Sequence, residues 1–213
     1  VIGRISTDAI FADGMETGDV SAWSGAAGGS DLAVTGAAAL EGEQGLEANV
    51  NDTEALFVRD DTPNDENRYL LRFAFDPNGF DPGESAGQQR VRLFIAFEEA
   101  PRQRRVFAVV LRRVDGAYSI GVRSQLDAGA EADTPFVDIT DEPHVIEVDW
   151  QRSGTGTPTG SLALRIDGVL RATLASLDND VRAVDFVRLG VMNAKGAAAG
   201  TVYFDSFTSR REP

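Results

Sequence analysis

The chain has 213 residues, 42% hydrophobic and 25% charged, the composition of a folded globular domain with enough apolar material for one sizeable core. Its formal net charge of -14 argues against nucleic acid as a partner, because a phosphate backbone requires a basic footprint. With no cysteine and a single histidine, His144, thiolate zinc centres are excluded and imidazole sites have little to draw on.

The sequence opens on Val1 and not on methionine, from which removal of a leader is expected, and with it a secreted, periplasmic or cell-surface location. Residues 11–23, FADGMETGDVSAW, place Asp13, Glu16 and Asp19 around Gly14 and Gly18, with Phe11 and Trp23 as apolar anchors. Calcium takes six to eight oxygen ligands from carboxylates and carbonyls, and glycines let a loop curl tightly enough to aim them inward. The expectation is a structural calcium ion held by Asp13, Glu16 and Asp19 and completed by Asp205 near the other end of the chain. The competing expectation is a pair of simple turns with solvated carboxylates.

Beyond the acidic turn, apolar residues alternate in short runs between clusters of Gly, Asp, Asn and Pro, the signature of an antiparallel β protein. Strands are predicted at 32–35, 46–50, 55–58 and 68–76, the last alternating Tyr69, Leu71, Phe73 and Phe75 against Leu70, Arg72 and Ala74. In 89–98 the alternation sets Val91, Leu93, Ile95 and Phe97 against Arg90, Arg92 and Phe94. Strands 105–114 and 118–124 form a hairpin through Asp115-Gly116, a dipeptide that type I′ turns favour. Strands at 143–152 and 161–167 follow, then a tight turn at Asp167-Gly168 into 169–174, a single helical turn at 178–180, and closing strands at 186–193 and 201–208. Lys195, the only lysine of the chain, falls in the loop 194–200 and reads as a consequence of coding bias toward arginine. No run approaches the roughly 20 apolar residues of a membrane-spanning helix, no long-period repeat is evident, and one domain over 1–213 is expected.

Three stretches resemble one superfamily: residues 11–23, the pair 144–150 (HVIEVDW) with 161–168 (SLALRIDG), and 203–207 (YFDSF). Together they are similar to the concanavalin A-like lectin/glucanase superfamily, including laminin-G-like and carbohydrate-binding modules of bacterial secreted proteins. The resemblance implies an all-β jelly-roll β-sandwich of two curved antiparallel sheets, and a structural calcium where the chain ends meet. Laminarinase-type members carry Glu-x-Asp-x-x-Glu on one strand; Glu147 and Asp149 match its first two acids, while Arg152 replaces the last. An arginine cannot protonate a leaving group near neutral pH, so the acid/base is missing from its usual place. A lyase of this fold would use a Tyr/His pair, and the lone His144 reads as structural; no Gly-x-Ser-x-Gly elbow supports a serine hydrolase.

The polar faces of the strands carry Arg72, Arg92, Arg112, Arg165 and Arg188, which with Glu147 and Asp149 are expected to form a charged network across one sheet. Its bland reading is a solvated set of cross-strand ion pairs. Its functional reading is a surface for an anionic sugar or a protein, with Arg72, Arg92, Phe94, Glu147 and Asp149 as ligand-binding residues. Sugar-binding faces expose aromatic rings; only Phe94 and Tyr118 are expected there, Trp23 and Trp150 being core. The expected function is a non-catalytic exported interaction or structural module presenting a sheet face to a protein or polysaccharide. The alternative is a glycoside hydrolase or polysaccharide lyase of the same fold.

Overall fold

A computed structural model describes residues 8–84, 87, 89–99 and 104–213. The strands in chain order are β1 (Ala9–Asp13), β2 (Gly25–Ala27), β3 (Leu32–Thr35), β4 (Gly45–Val50), β5 (Leu56–Asp60), β6 (Arg68–Asp76), β7 (Arg90–Phe97) and β8 (Arg105–Val114). They continue as β9 (Ala117–Gln125), β10 (Glu131–Asp133), β11 (Val137–Ile139), β12 (His144–Gln151), β13 (Gly160–Ile166), β14 (Val169–Leu177), β15 (Phe186–Met192) and β16 (Gly200–Arg210). They form two antiparallel 8-stranded sheets, a jelly-roll sandwich. Sheet A runs β14-β13-β12-β6-β16-β4-β3, with β1 also on β16; sheet B runs β10-β9-β8-β7-β15-β5-β2, with β11 also on β9. No helix among the described residues is long and apolar enough to cross a membrane.

The period-2 alternation decides which side chains enter the space between the sheets. Tyr69, Phe73 and Phe75 of β6 and Trp150 of β12 are all fully buried. Across the gap, Phe94 and Phe107 stack on one another at 5.6 Å between ring centroids, and Phe107 meets Trp150 at 6.0 Å. Both Asp-Gly hairpin turns have the positive φ pair that a type I′ turn requires, 51° and 79° at Asp115-Gly116 and 54° and 73° at Asp167-Gly168. These turns set the β8–β9 and β13–β14 registers.

Two departures from the expected pattern matter for the site. In β7 the register against β8 shifts between Arg92 and Phe94, a β-bulge. Leu93 and Phe94 therefore both turn inward, each fully buried, and the alternation resumes one step out of phase with Ile95 and Phe97 on the outer face. Phe94 is thus a core residue and not an exposed sugar platform. Tyr118 is likewise buried, donating its hydroxyl to the Phe80 carbonyl at 2.6 Å. The helical turn expected at 178–180 is absent: Asn179 is fully buried and its Oδ1 accepts from Ser153 N at 2.8 Å, a contact that holds the segment as an irregular link. The short strands β1, β2, β10 and β11 carry too few alternations to be read from pattern alone.

Candidate functional site

The chain ends meet as expected, since β1 pairs with the C-terminal half of β16 through Phe11–Ser209, Ala12–Thr208 and Asp13–Phe207. β4 lies beyond β1 along the same side of β16, pairing with Gly200–Phe204. Phe11, Trp23 and Phe207 pack into one aromatic cluster across this junction, with centroids 4.8–6.1 Å apart.

The four acids proposed for calcium do not converge. Asp13 accepts from Met15 N at 3.0 Å and from the indole N–H of Trp23 at 2.7 Å. Glu16 accepts from Glu43 N at 3.1 Å and Gln44 N at 3.3 Å. Asp19 accepts from Ser21 N at 2.9 Å, and its hydrogen bonds with Ser21 hold its carboxyl below the usual range. Asp205, buried in the β1–β4 gap, accepts from Leu40 N, Glu41 N and Ser206 N at 2.9, 2.8 and 2.6 Å. Burial, together with the nearby Glu16 charge, raises the Asp205 carboxyl above its ordinary value in spite of those donors. Amide N–H groups thus stand where a cation would have to sit, and among the described residues no group of three acidic or imidazole side chains is placed to hold a metal. A structural calcium does not fit this donor set. A calcium ion present at about one hundred times its dissociation constant would add about 2.7 kcal/mol, several degrees of melting temperature in a chain of this size. The expected calorimetric result is the same melting temperature in calcium and in chelator; a shift of several degrees would put an ion in the turn.

The charged network also divides. Arg72, Glu147 and Asp149 share the outer face of sheet A, whereas Arg92 lies on the outer face of sheet B, so the five residues proposed as one ligand site do not form one. On sheet A the charges are matched internally. Arg68 grips Asp149 through two hydrogen bonds of 3.1 and 2.7 Å, Arg72 pairs with Glu41 at 2.8 Å, and Glu147 lies in register between Arg72 and Arg165. His144 belongs to the same sheet, its Nε2 accepting from Thr140 N at 3.2 Å, which leaves Nδ1 to donate to Asp167 at 2.8 Å.

Sheet A's outer face holds a cleft of about 550 Å³ among these matched charges, and sheet B differs in what lines its clefts. Its outer face carries two adjoining clefts of about 300 and 890 Å³, joined through Arg92 and Asn193, within the size range of ligand sites. The first is lined by Arg90, Arg92, Arg123, Phe136 and Lys195, among others; the second by Ile95, Phe97, Arg105, Arg188 and Met192. The floor is apolar, with Ile95, Ala108 and Met192 buried against Phe57 and Phe97. Above it, Arg188 lies over the rings of Phe57 at 4.4 Å and Phe97 at 5.0 Å. Gly121 leaves room for the Phe136 ring, which a Cβ there would meet at 3.2 Å, and Arg112 stacks on that ring at 4.1 Å.

Four arginines of this face fall into two kinds. Arg105 and Arg123 are already neutralised, pairing with Glu131 at 3.0 and 2.6 Å, and Arg123 also with Asp133 at 2.7 Å. Arg92 and Arg188 make no ion pair among the described residues, and the Nε of each is buried without an acceptor. Burial and the neighbouring Arg105, Arg123 and Arg90 charges push Arg92 down to about 10; burial and Arg59 lower Arg188 as well. Both remain cationic at neutral pH, and both sit in a field that an anion would relieve.

Sequence reasoning singled out Arg92 and Arg188 but missed Phe97, Phe136 and Lys195. Phe97 was assigned to the core by an alternation that the β7 bulge breaks. Lys195 had a signal in its uniqueness, and the structure places this single amine in the wall of the cleft.

No protein-family model matches the chain, and no curated protein matches it. Solved structures do. An endo-β-1,4-glucuronan lyase from the fungus Trichoderma reesei superposes with a TM-score of 0.66 at 11% identity, covering 96% of each chain. The marine PL-14 alginate lyase from Aplysia kurodai gives 0.58 at 10% identity, over 88% of this chain and 89% of its own. The binding domain of botulinum neurotoxin serotype G gives 0.58 at 11% identity, over 88% of this chain and 44% of the other. Identities this low establish shared architecture and not shared activity. The chain is an all-β, two-sheet jelly-roll sandwich, similar in fold to polysaccharide lyases and to a toxin's binding domain.

Proposed function

We propose that the protein is an exported carbohydrate-binding module of the concanavalin A-like type, and that it takes an acidic polysaccharide along the outer face of sheet B. The observation that carries this is the pair of guanidiniums, Arg92 and Arg188, that make no ion pair among the described residues and lie over an apolar floor in a chain whose net charge is -14. A uronate chain matches that chemistry: carboxylates meet the guanidinium forks, and the half-buried Phe97, backed by the buried Ile95 and Met192, offers an apolar surface to a ring. Fold neighbours that act on glucuronan and alginate support the same class of ligand. Affinity gel electrophoresis is expected to retard the protein in polyglucuronate or alginate and to leave it free in a neutral β-glucan. The retardation should weaken as salt rises, since the attraction is screened. Equal retardation in the neutral glucan, or none in either acidic polymer, would overturn the proposal.

A second reading is favoured by one residue. Lys195 stands in the cleft wall near Asn193 and Arg92, and a β-eliminating lyase needs a base beside the uronate C5 proton and cations on its carboxylate. Appearance of unsaturated uronate ends, followed by ultraviolet absorbance and abolished by Lys195→Ala, would make the protein a lyase. Retention of polymer without new ends would keep it a binding module.

A further inference from the structure

Resting on the reading of sheet B as the polysaccharide face, we infer that Arg92 and Arg188 form two separate carboxylate subsites set one disaccharide apart. The groove then reads the spacing of acidic groups, and not merely their charge. β7 and β15 are neighbours, with Met192 opposite Arg92 and Arg188 opposite Ile95. The two arginines therefore lie diagonally across the strand pair, about 7 Å apart along it, since the β7 bulge shortens the step from Arg92 to Ile95 to two residues of β8, and about 5 Å across it, before the reach of the side chains is added. In an extended, equatorially linked polyuronate successive rings turn over, so the carboxylates on one edge recur at every second sugar, a comparable span.

What lies between the subsites suits the intervening ring. Ile95 and Met192 close the bottom of the cleft there without a polar group, and the partly exposed Phe97 stands beside them. Each subsite also has a different second element. Arg92 is tied to the neutral Asn193 side chain, which orients the guanidinium without neutralising it. Arg188 is held over Phe57 and Phe97, so its planar fork is fixed by ring contacts and has no acid of its own. Of the other cleft arginines, Arg105 and Arg123 are spoken for by Glu131 and Asp133, Arg104 and Arg182 pair with Glu98, and Arg90 is an exposed residue of the first cleft.

The test is calorimetric titration of uronate oligosaccharides from disaccharide to hexasaccharide, with a randomly sulfated neutral glucan oligomer as a charge control. Wild-type protein is expected to gain about tenfold or more in affinity between disaccharide and tetrasaccharide, the trisaccharide being the first oligomer that bridges both subsites. Arg92→Gln and Arg188→Gln should each remove that step, leaving the tetrasaccharide bound like a disaccharide. Arg188→Met, which keeps an apolar stem over Phe57, is measured alongside, with melting temperatures, so that lost folding is not read as lost binding. Polymer binding without a length step, a step that survives in both Arg188 variants, or equal affinity for the sulfated control would overturn the spacing while leaving the polysaccharide face in place. Failure to bind any acidic polymer would remove both.

Discussion

Replacing Gly190 with alanine is expected to cost the fold about 4 kcal/mol, the sum of backbone strain and overlap. Gly190 lies in β15 opposite Phe57, at a φ of 144° that L side chains rarely adopt. A Cβ there would come within 2.1 Å of the Leu56 carbonyl oxygen and 2.8 Å of the Phe57 Cα. Neither contact is the end of a flexible side chain; relief requires β5 and β15 to part in the middle of sheet B. Strain at such a φ is worth about 1–3 kcal/mol, and forced overlap in a packed region about as much again. At about 2–4 °C per kcal/mol for a chain of this size, the melting temperature should fall by roughly 10 °C. Gly196→Ala is the control, because nothing lies within 4 Å of a Cβ at that position; its effect should stay within about 0.5 kcal/mol. A Gly190→Ala protein that melts with the wild type would show that the two strands separate there at little cost.

Asp205→Ala is expected to destabilise by about 3–5 kcal/mol, because it strips the acceptor from three amide donors at once. Leu40, Glu41 and Ser206 all point N–H groups at this one carboxylate, which fills the gap between the ends of β1 and β4. The loss should appear as an earlier urea midpoint together with faster amide exchange at Leu40 and Glu41. The Asp205 carboxyl is raised in the fold, so its contribution is largest at acid pH and declines as pH rises through the folded value. Asp205→Asn, which keeps one acceptor and carries no buried charge, should lose less than Asp205→Ala; neither variant titrates at this position, so the gap between them stays constant while both losses shrink as pH increases. Equal losses at all pH values would mean that the carboxylate charge has no part in holding the loop.

Strands whose pattern is complete in themselves were legible from the residues. Tyr69, Leu71, Phe73 and Phe75 leave no choice of face for β6, and Asp115-Gly116 names its own turn. Interactions across strands were not. The bulge that turns Phe94 inward and Phe97 outward is a property of the β7–β8 register, which no window of β7 contains. Arg72 and Arg92 have the same local appearance, a guanidinium opposite apolar neighbours, yet one sits on sheet A and the other on sheet B. The same limit explains the acidic turn. Glu16 and Asp205 look like cation ligands until the amides of residues 40–44, distant in sequence, are seen to occupy them. Acidic residues identify where positive charge is wanted, and long-range folding decides whether an ion or the backbone provides it.

The pairing of β1 with β16 also fixes how the molecule can be held. Arg211 N donates to the Asp8 carbonyl at 2.9 Å, so both ends of the described chain leave from one corner of sheet A. The cleft with Arg92 and Arg188 opens on the outer face of sheet B, the opposite side of the sandwich. A tether at the C-terminal end therefore attaches on the side away from the groove and leaves the groove open to a polymer in solution. Immobilised by that end on a sensor surface or on a support bead, every copy would offer the same face to the passing chain.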